Sequence, residues 1–254
     1  MTASRGREQT RLVSGLHSVR SVLRHGPAAI REAWVDVRRR DRRLGELLAE
    51  LRRFGIPLEE ADRETLDRLS EGANHQGIVV RALAPAARDE SDLWPLLDGL
   101  STPPWLLVLD GVQDPHKLGA CLRTAEAVGV DAVVAPRDRS AGLTPVAVKV
   151  ASGAAERVPF FQVTNLVRVL RRLGDDYRVW VVGTAGDGET GLYEADLSGA
   201  LALVMGGEGE GMRRLTREHC DQVVSIPLAG SVESLNVSVA TGVCLYEALR
   251  QRRG

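Results

Sequence analysis

Three clusters of residues in this 254-residue chain are placed where chemistry could be done. They are Asp110-Gly111-Val112-Gln113-Asp114-Pro115-His116-Lys117, Gly206-Gly207-Glu208-Gly209-Glu210-Gly211 and Ala229-Gly230-Ser231-Val232-Glu233-Ser234-Leu235-Asn236. The second has almost no side chains except two carboxylates, and the third sets Glu, Ser and Asn among small residues. Glycine loops of this kind let backbone N–H and C=O groups meet a ligand directly, although plain strand-to-helix turns share the same composition. A Ser-His-Asp hydrolase can be drawn from Ser234, His116 and Asp114, but no G-x-S-x-G elbow accompanies it. Gly183-Thr184-Ala185-Gly186-Asp187-Gly188 is not G-x-G-x-x-G, and no G-x-x-x-x-G-K-[ST] occurs, which disfavours a dinucleotide or phosphate loop. Cys121, Cys220 and Cys244 have no CxxC or metal-ligand spacing, which argues against structural zinc and for a reducing cytosol.

The clusters need a scaffold, and the apolar runs supply one. Trp105 to Leu109, Val130 to Ala135, Val158 to Val163, Arg178 to Val182, Leu201 to Met205 and Val223 to Ile226 read as strands. Between them Leu118 to Val128, Thr144 to Ser152 and Asn165 to Leu173 read as helices, and a last helix runs from the third cluster to the C-terminus. Such alternation implies an α/β fold with a mostly parallel sheet and helices on both faces. Ligands of these sheets lie at the carboxyl ends of the strands, where all three clusters fall. Upstream, Val13 to Leu23 has helical spacing and Ala33 to Val37 reads as a strand. Asp41 to Phe54 reads as an amphipathic helix stopped by Gly55, Asp62 to Leu69 as a helix and Gly77 to Leu83 as a strand. These suggest a small α/β domain over residues 1–84. In its Asn74-His75-Gln76-Gly77 turn, His75 and Gln76 are candidates for RNA contact, with a turn role favoured for His75. Residues 85–104, proline-bounded and mixed in charge with a short helix near Leu93 to Leu97, read as a linker to a second domain over 105–254.

Hydrophobic residues make up 44% of the chain, enough for a real core, and the formal net charge is −1. Arginines outnumber acids between Met1 and Arg53, as in Arg38, Arg39, Arg40, Arg42, Arg43, Arg52 and Arg53. That excess fits an RNA- or DNA-binding module or, equally, a solvated face in an arginine-rich proteome. Lys117 and Lys149 are the only lysines, so arginine usage is partly compositional habit. The N-terminus has no apolar leader core, and no run approaches a membrane span, so a cytoplasmic protein is expected.

Taken in order, Asp114-Pro115-His116-Lys117-Leu118-Gly119-Ala120-Cys121-Leu122-Arg123-Thr124, Met205 to Met212 and Ile226 to Ala240 resemble the three motifs of the SPOUT-class (TrmH-type) RNA ribose 2′-O-methyltransferases. The resemblance extends from Ser14-Gly15 through Asn74-His75-Gln76-Gly77 to the end, with Arg213 to Cys220 especially close. It is strongest to the bacterial branch that methylates a guanosine of 23S ribosomal RNA.

The resemblance implies a catalytic domain with a deep trefoil knot, an exception to the rule that chains are unknotted. It implies S-adenosylmethionine bound bent in that knot, contacted by Gly206, Ile226 and Leu235, with Gly207, Thr184 and Ala185 as neighbours. A homodimer is implied, each active site taking residues from both subunits. An L30e-like N-terminal RNA-binding domain is implied too, and no metal. Arg123 matches the arginine proposed to act on the ribose hydroxyl. With a pKa above about 12 an arginine is a reluctant base, so two roles stay open: proton acceptor when strongly perturbed, or cation holding phosphate and alkoxide. Glu208, Ser234 and Asn236 match the polar residues that complete this network. Lys117 departs from the family, which usually has Asn there, and replaces an amide with a cation that has no acceptor. Pointing toward Arg123 it would lower either pKa by repulsion; otherwise it is placed to take a phosphate. The expected activity is 2′-O-methylation of a guanosine in 23S rRNA. The alternatives are a tRNA or another rRNA site, or a non-catalytic RNA-binding or ribosome-assembly factor disabled by Lys117.

Overall fold

A computed structural model of the chain describes residues 10–254. Residues 1–9, which begin the basic stretch and the segment read as lacking a leader, lie outside the described residues. The chain forms two compact units, one ending at Pro85 and the other beginning at Ala86.

The first unit runs β1 (Thr10–Ser14), α1 (Leu16–His25), β2 (Ile30–Val35), α2 (Arg42–Arg53), β3 (Leu58–Glu60), α3 (Arg63–Leu69) and β4 (Ile78–Leu83). Its sheet has the order β1-β4-β2-β3, with β4 antiparallel to β1 and β2, and β2 parallel to β3. The alternating faces of β2 and β4 put Ala33, Val35, Ile78, Val80 and Ala82 into a core closed by Val19 and Leu23 of α1 and Leu44, Leu47 and Leu51 of α2. Asp41 caps α2 by accepting from Arg43 N, and Gly55 at φ 69° turns the chain beyond it. The helix expected from Val13 is displaced: Val13 and Ser14 end β1, and Gly15 at φ 88° turns the chain into α1. Gln76 accepts from Leu16 N at 3.1 Å. His75 Nδ1 accepts from Gly77 N at 3.1 Å, leaving the Nε2 proton to face Asp67 at 3.1 Å. These groups of the turn are therefore spent on closing it.

The second unit comprises α4 (Glu90–Asp98), β5 (Trp105–Asp110), α5 (Pro115–Val128), β6 (Ala132–Pro136), α6 (Pro145–Ala151), β7 (Phe160–Val163), α7 (Leu166–Tyr177), β8 (Trp180–Thr184), β9 (Thr190–Gly191), β10 (Leu201–Gly206), α8 (Arg214–Arg217), β11 (Gln222–Ser225) and α9 (Val237–Arg253). Its sheet has the order β7-β6-β5-β10-β8-β11-β9 and every described pairing is parallel. The central strands are buried on both faces. Leu107, Leu109, Leu203 and Met205 face α5, α6 and α9, while Leu106, Val108, Ala202 and Val204 face α4 and α7.

The stretch 85–104 departs from the linker reading. Leu93, Trp94 and Leu97 of α4 are buried in the core of the second unit, and Arg88 bridges to Phe161 of β7. Its prolines and charges mark a boundary in composition, but its apolar helix face belongs to the sheet. Arg178 is not in a strand either: at φ 55° it ends α7, and β8 runs from Trp180 to Thr184. The two-residue β9 and the single-turn α8 are too short to leave a periodic signal.

Candidate functional site

The parallel register sets the site. Asp110, the last residue of β5, pairs with Gly206 at the end of β10, and Met205 pairs with Thr184 at the end of β8. Three strands thus release their loops at one level of the carboxyl edge. The loop after β10 folds onto itself, Gly207 and Gly211 exchanging N–H···O bonds of 3.1 and 3.2 Å. Neither of its first two residues has room for a side chain. A Cβ on Gly206 would lie 2.3 Å from Gly211 C, and one on Gly207 would lie 2.3 Å from Gly111 O. The glycines here serve close approach of backbone to backbone.

A cavity of about 780 Å³ opens above this edge. Thr184, Ala185, Gly206, Gly207, Ile226 and Leu235, the six expected cofactor contacts, all line it, and so do Glu208, Ser234 and Asn236. Its apolar wall is completed by Met205, Leu228, Val237 and Ala240. Ser234 is exposed and makes no side-chain hydrogen bond among the described residues. Asn236 caps α9, its Oδ1 accepting from Ser238 N (2.9 Å) and Oγ (2.7 Å), which leaves its amide N–H groups for other partners. Thr184 Oγ1 donates to Val204 O at 3.1 Å.

Two expected residues lie outside the cavity wall. Lys117, in the first turn of α5, binds the Glu208 carboxylate, with Asp114 Oδ2 at 4.0 Å. It is not turned toward Arg123: six residues on, at about 100° per residue, Arg123 is roughly 120° around the helix. Arg123 is exposed and makes no ion pair or side-chain hydrogen bond among the described residues.

Sequence reading passed over two pairs. Arg217 donates to Asp187 at 2.7 Å, and both line the cavity. The Arg217 hydrogen bond holds the Asp187 carboxyl below its usual range and raises Arg217 in turn. Asp110 is 0% exposed; its Oδ2 accepts from Arg213 N at 2.8 Å and its Oδ1 faces Arg213 Nε at 3.5 Å. Arg213 also donates to Asp138 O at 2.8 Å, so it ties the exit of the glycine loop to the ends of β5 and β6. Arg213 and Arg217 lie in the segment Arg213 to Cys220, where residue type and spacing alone assign neither a role. Asp110 was visible as an acid ending an apolar strand. No group of three His, Cys, Asp or Glu side chains suited to a metal ion occurs among the described residues.

The SpoU rRNA methylase family model matches residues 104–246, more than half of the chain, and spans every loop of the cavity. The chain belongs to the SpoU rRNA methylase family. A second model, for RNA 2′-O ribose methyltransferase substrate binding, matches residues 12–86. Among curated SpoU relatives, the 23S rRNA (guanosine-2′-O-)-methyltransferase RlmB of Haemophilus ducreyi is 55% identical over 94% of this chain and 97% of its own length. That of Pasteurella multocida is 57% identical over 94% and 98%. The solved structure of the SpoU methyltransferase AviRb from Streptomyces viridochromogenes, in complex with AdoMet, is 25% identical, with TM-score 0.76 over 96% of this chain and 91% of that one. The cavity of this SpoU chain suits such a group: its size falls in the ordinary range for small-molecule sites, about 300–1,000 Å³, with an apolar wall beside glycine backbone that no Cβ obstructs. No helix among the described residues is long and apolar enough to cross a membrane.

Proposed function

We propose that this chain transfers a methyl group from S-adenosylmethionine to the ribose 2′-oxygen of a guanosine in 23S rRNA. The observation that carries the reading is the convergence of the three family loops on one cavity, in a chain more than half identical to curated 23S rRNA guanosine 2′-O-methyltransferases. When bound, the cofactor supplies a sulfonium methyl that an oxygen nucleophile can attack in line. Thr184, Ala185, Gly206, Gly207, Ile226 and Leu235 would hold it. The rest is positioning, which contributes roughly 7–11 kcal/mol in favourable intramolecular cases. Ser234 and the free amide N–H groups of Asn236 are available to orient the ribose, the Glu208 carboxylate on the cavity wall is the acceptor at hand for the departing proton, and Arg123 supplies a cation for phosphate and alkoxide.

In this proposal the protein works as a homodimer. Arg123 is exposed and unpaired among the described residues, in keeping with service to a neighbouring subunit's site, and Val239 and Tyr246 leave an exposed apolar strip on α9. The deep knot belongs to the same reading. It is supported by the path of the chain, which after β10 passes β8 to form β11 on its far side and then returns through residues 227–236 to α9, whose Val237 and Ala240 line the cavity with the glycine loop. The unit ending at Pro85 is read as an L30e-like binder of the RNA, supported by its family-model match and its arginines.

The test is labelled methyl transfer from S-adenosylmethionine to unmodified 23S rRNA, with tRNA alongside, followed by mapping of the modified ribose. A 2′-O-methylguanosine in 23S rRNA is expected. Label on tRNA alone would move the substrate. A protein that binds RNA without transfer, and gains activity on Lys117→Asn, would be a disabled enzyme.

A further inference from the structure

We infer that Lys117 is a positioning residue, which holds the tip of the glycine loop against the cofactor cavity by pairing with Glu208 and bears on catalysis only through that carboxylate. The inference rests on the cavity's being the S-adenosylmethionine site.

The loop from Gly206 to Met212 is anchored firmly at its base. Gly207 and Gly211 bond each other, and Asp110 and Arg213 fix the exit. Its tip, Glu208-Gly209-Glu210, has no such fastening. Among the described residues the pair between Lys117 Nζ and Glu208 Oε1 is the one side-chain tether that the tip has, and the tip makes no backbone hydrogen bond outside the loop. Gly209 and Gly211, at φ 80° and 69°, have no Cβ to restrict them, so the backbone supplies little stiffness of its own. Glu208, Gly209 and Glu210 all line the cavity, so wherever the tip goes the wall goes with it.

Lys117 is suited to the task by position and by chemistry. It stands in the first turn of α5, a helix buried along one side against α6 and α9, so its backbone is a fixed point. Its side chain is 20% exposed against 51% for Glu208, so the anchored partner is the lysine and the held partner is the carboxylate. A four-carbon stem carries the ammonium across the gap between the two loops. An amide at this position would offer a weaker, uncharged bond. Asp114, 4.0 Å away, adds a second carboxylate, so the ammonium faces two negative groups and is poorly disposed to attract a phosphate.

The experiment is calorimetric binding of S-adenosylhomocysteine to the full chain, for wild type and for Lys117→Arg, Lys117→Met and Lys117→Glu, each shown by thermal unfolding to be folded. Wild type and the arginine variant should bind alike, the methionine variant about threefold to fivefold more weakly, and the glutamate variant more weakly still. Wild-type affinity should fall as salt is raised, and that of the methionine variant should respond little. With rRNA present, the methionine variant should raise KM for S-adenosylmethionine more than it lowers kcat. Equal affinity in all four proteins would overturn the inference. A rise in KM for RNA with unchanged S-adenosylhomocysteine binding would overturn it too and make Lys117 a phosphate ligand. Failure of wild type itself to bind would remove the cofactor reading and the inference with it.

Discussion

Replacing Gly207 with alanine tests whether backbone contact between the two loops sets the site. The new Cβ would stand 2.3 Å from Gly111 O and 2.8 Å from Gly111 C. Non-bonded heavy atoms settle at about 3.5–4.0 Å, so the loops must part by about 1 Å. Both neighbours are backbone atoms of Gly111, directly after the end of β5, and neither can rotate aside. Overpacking of this kind costs about 1–3 kcal/mol, and melting should fall by about 2–4 °C for each kcal/mol. Where about 1.4 kcal/mol of that penalty is relieved by the loop leaving its cofactor-binding position, affinity for S-adenosylhomocysteine drops about tenfold. A 1 Å misplacement also costs about a hundredfold in turnover. Calorimetry, thermal unfolding and labelled methyl transfer would be run beside Gly230→Ala, whose Cβ meets nothing within 4 Å and whose glycine is not at positive φ. That control should behave as wild type. Gly207→Ala with unchanged melting and unchanged affinity would refute the close-approach argument, because the collision permits no silent accommodation.

Arg123→Ala should leave stability within about 0.5 kcal/mol of wild type, because the side chain is exposed and unpartnered among the described residues, yet lower turnover by about 10²–10³-fold with S-adenosylhomocysteine affinity intact. Equilibrium unfolding and single-turnover kinetics separate the two effects. Glu247 is held at about pKa 2, first by Arg250 and then by Gln251, below its ordinary 4.5. Its contribution is therefore complete above pH 4.5 and is lost as pH falls toward 2. Glu247→Gln should cost about 1–2 kcal/mol near neutral pH and progressively less under acid, as measured by denaturant unfolding across that window. Burial pushes the thiols of Cys121 to about 11 and of Cys220 and Cys244 to about 12, so none should react with an aromatic disulfide reagent near pH 8 until denaturant is added.

Much of the second unit was legible because its strands are buried on both faces and read as unbroken apolar runs. Leu201 to Met205 and Trp105 to Leu109 each gained one residue in the structure, Gly206 and Asp110, and those additions are the ones that face each other across the site. Strand order was not legible, since no local pattern says that β10 enters between β5 and β8. Residues 85–104 misled because prolines and charges describe the solvent side of α4, while its three buried residues recur too briefly to show a period. The start of β1 was lost for a related reason: an edge strand of five residues with a single buried position has almost no alternation to detect. At the site, glycine clusters announced the loops, but the ion pairs joining them were invisible, because Lys117 and Glu208, or Asp110 and Arg213, are remote in sequence. Only the strand register brings them together.

That register also dictates when the protein can become an enzyme. Trp105 on β5 waits for Leu201 on β10, and the cavity needs Val237 and Ala240 of the last helix as well. Pairings of such long sequence separation close slowly, since the intervening loop must be ordered before any contact rewards it. During synthesis the first unit has its own sheet and core to fold around, whereas β5 to β8 remain without their central neighbour until β10 has emerged. Until Val237 and Ala240 of α9 are in place the cavity lacks part of its apolar wall, so cofactor can favour the finished fold but cannot guide the nascent one.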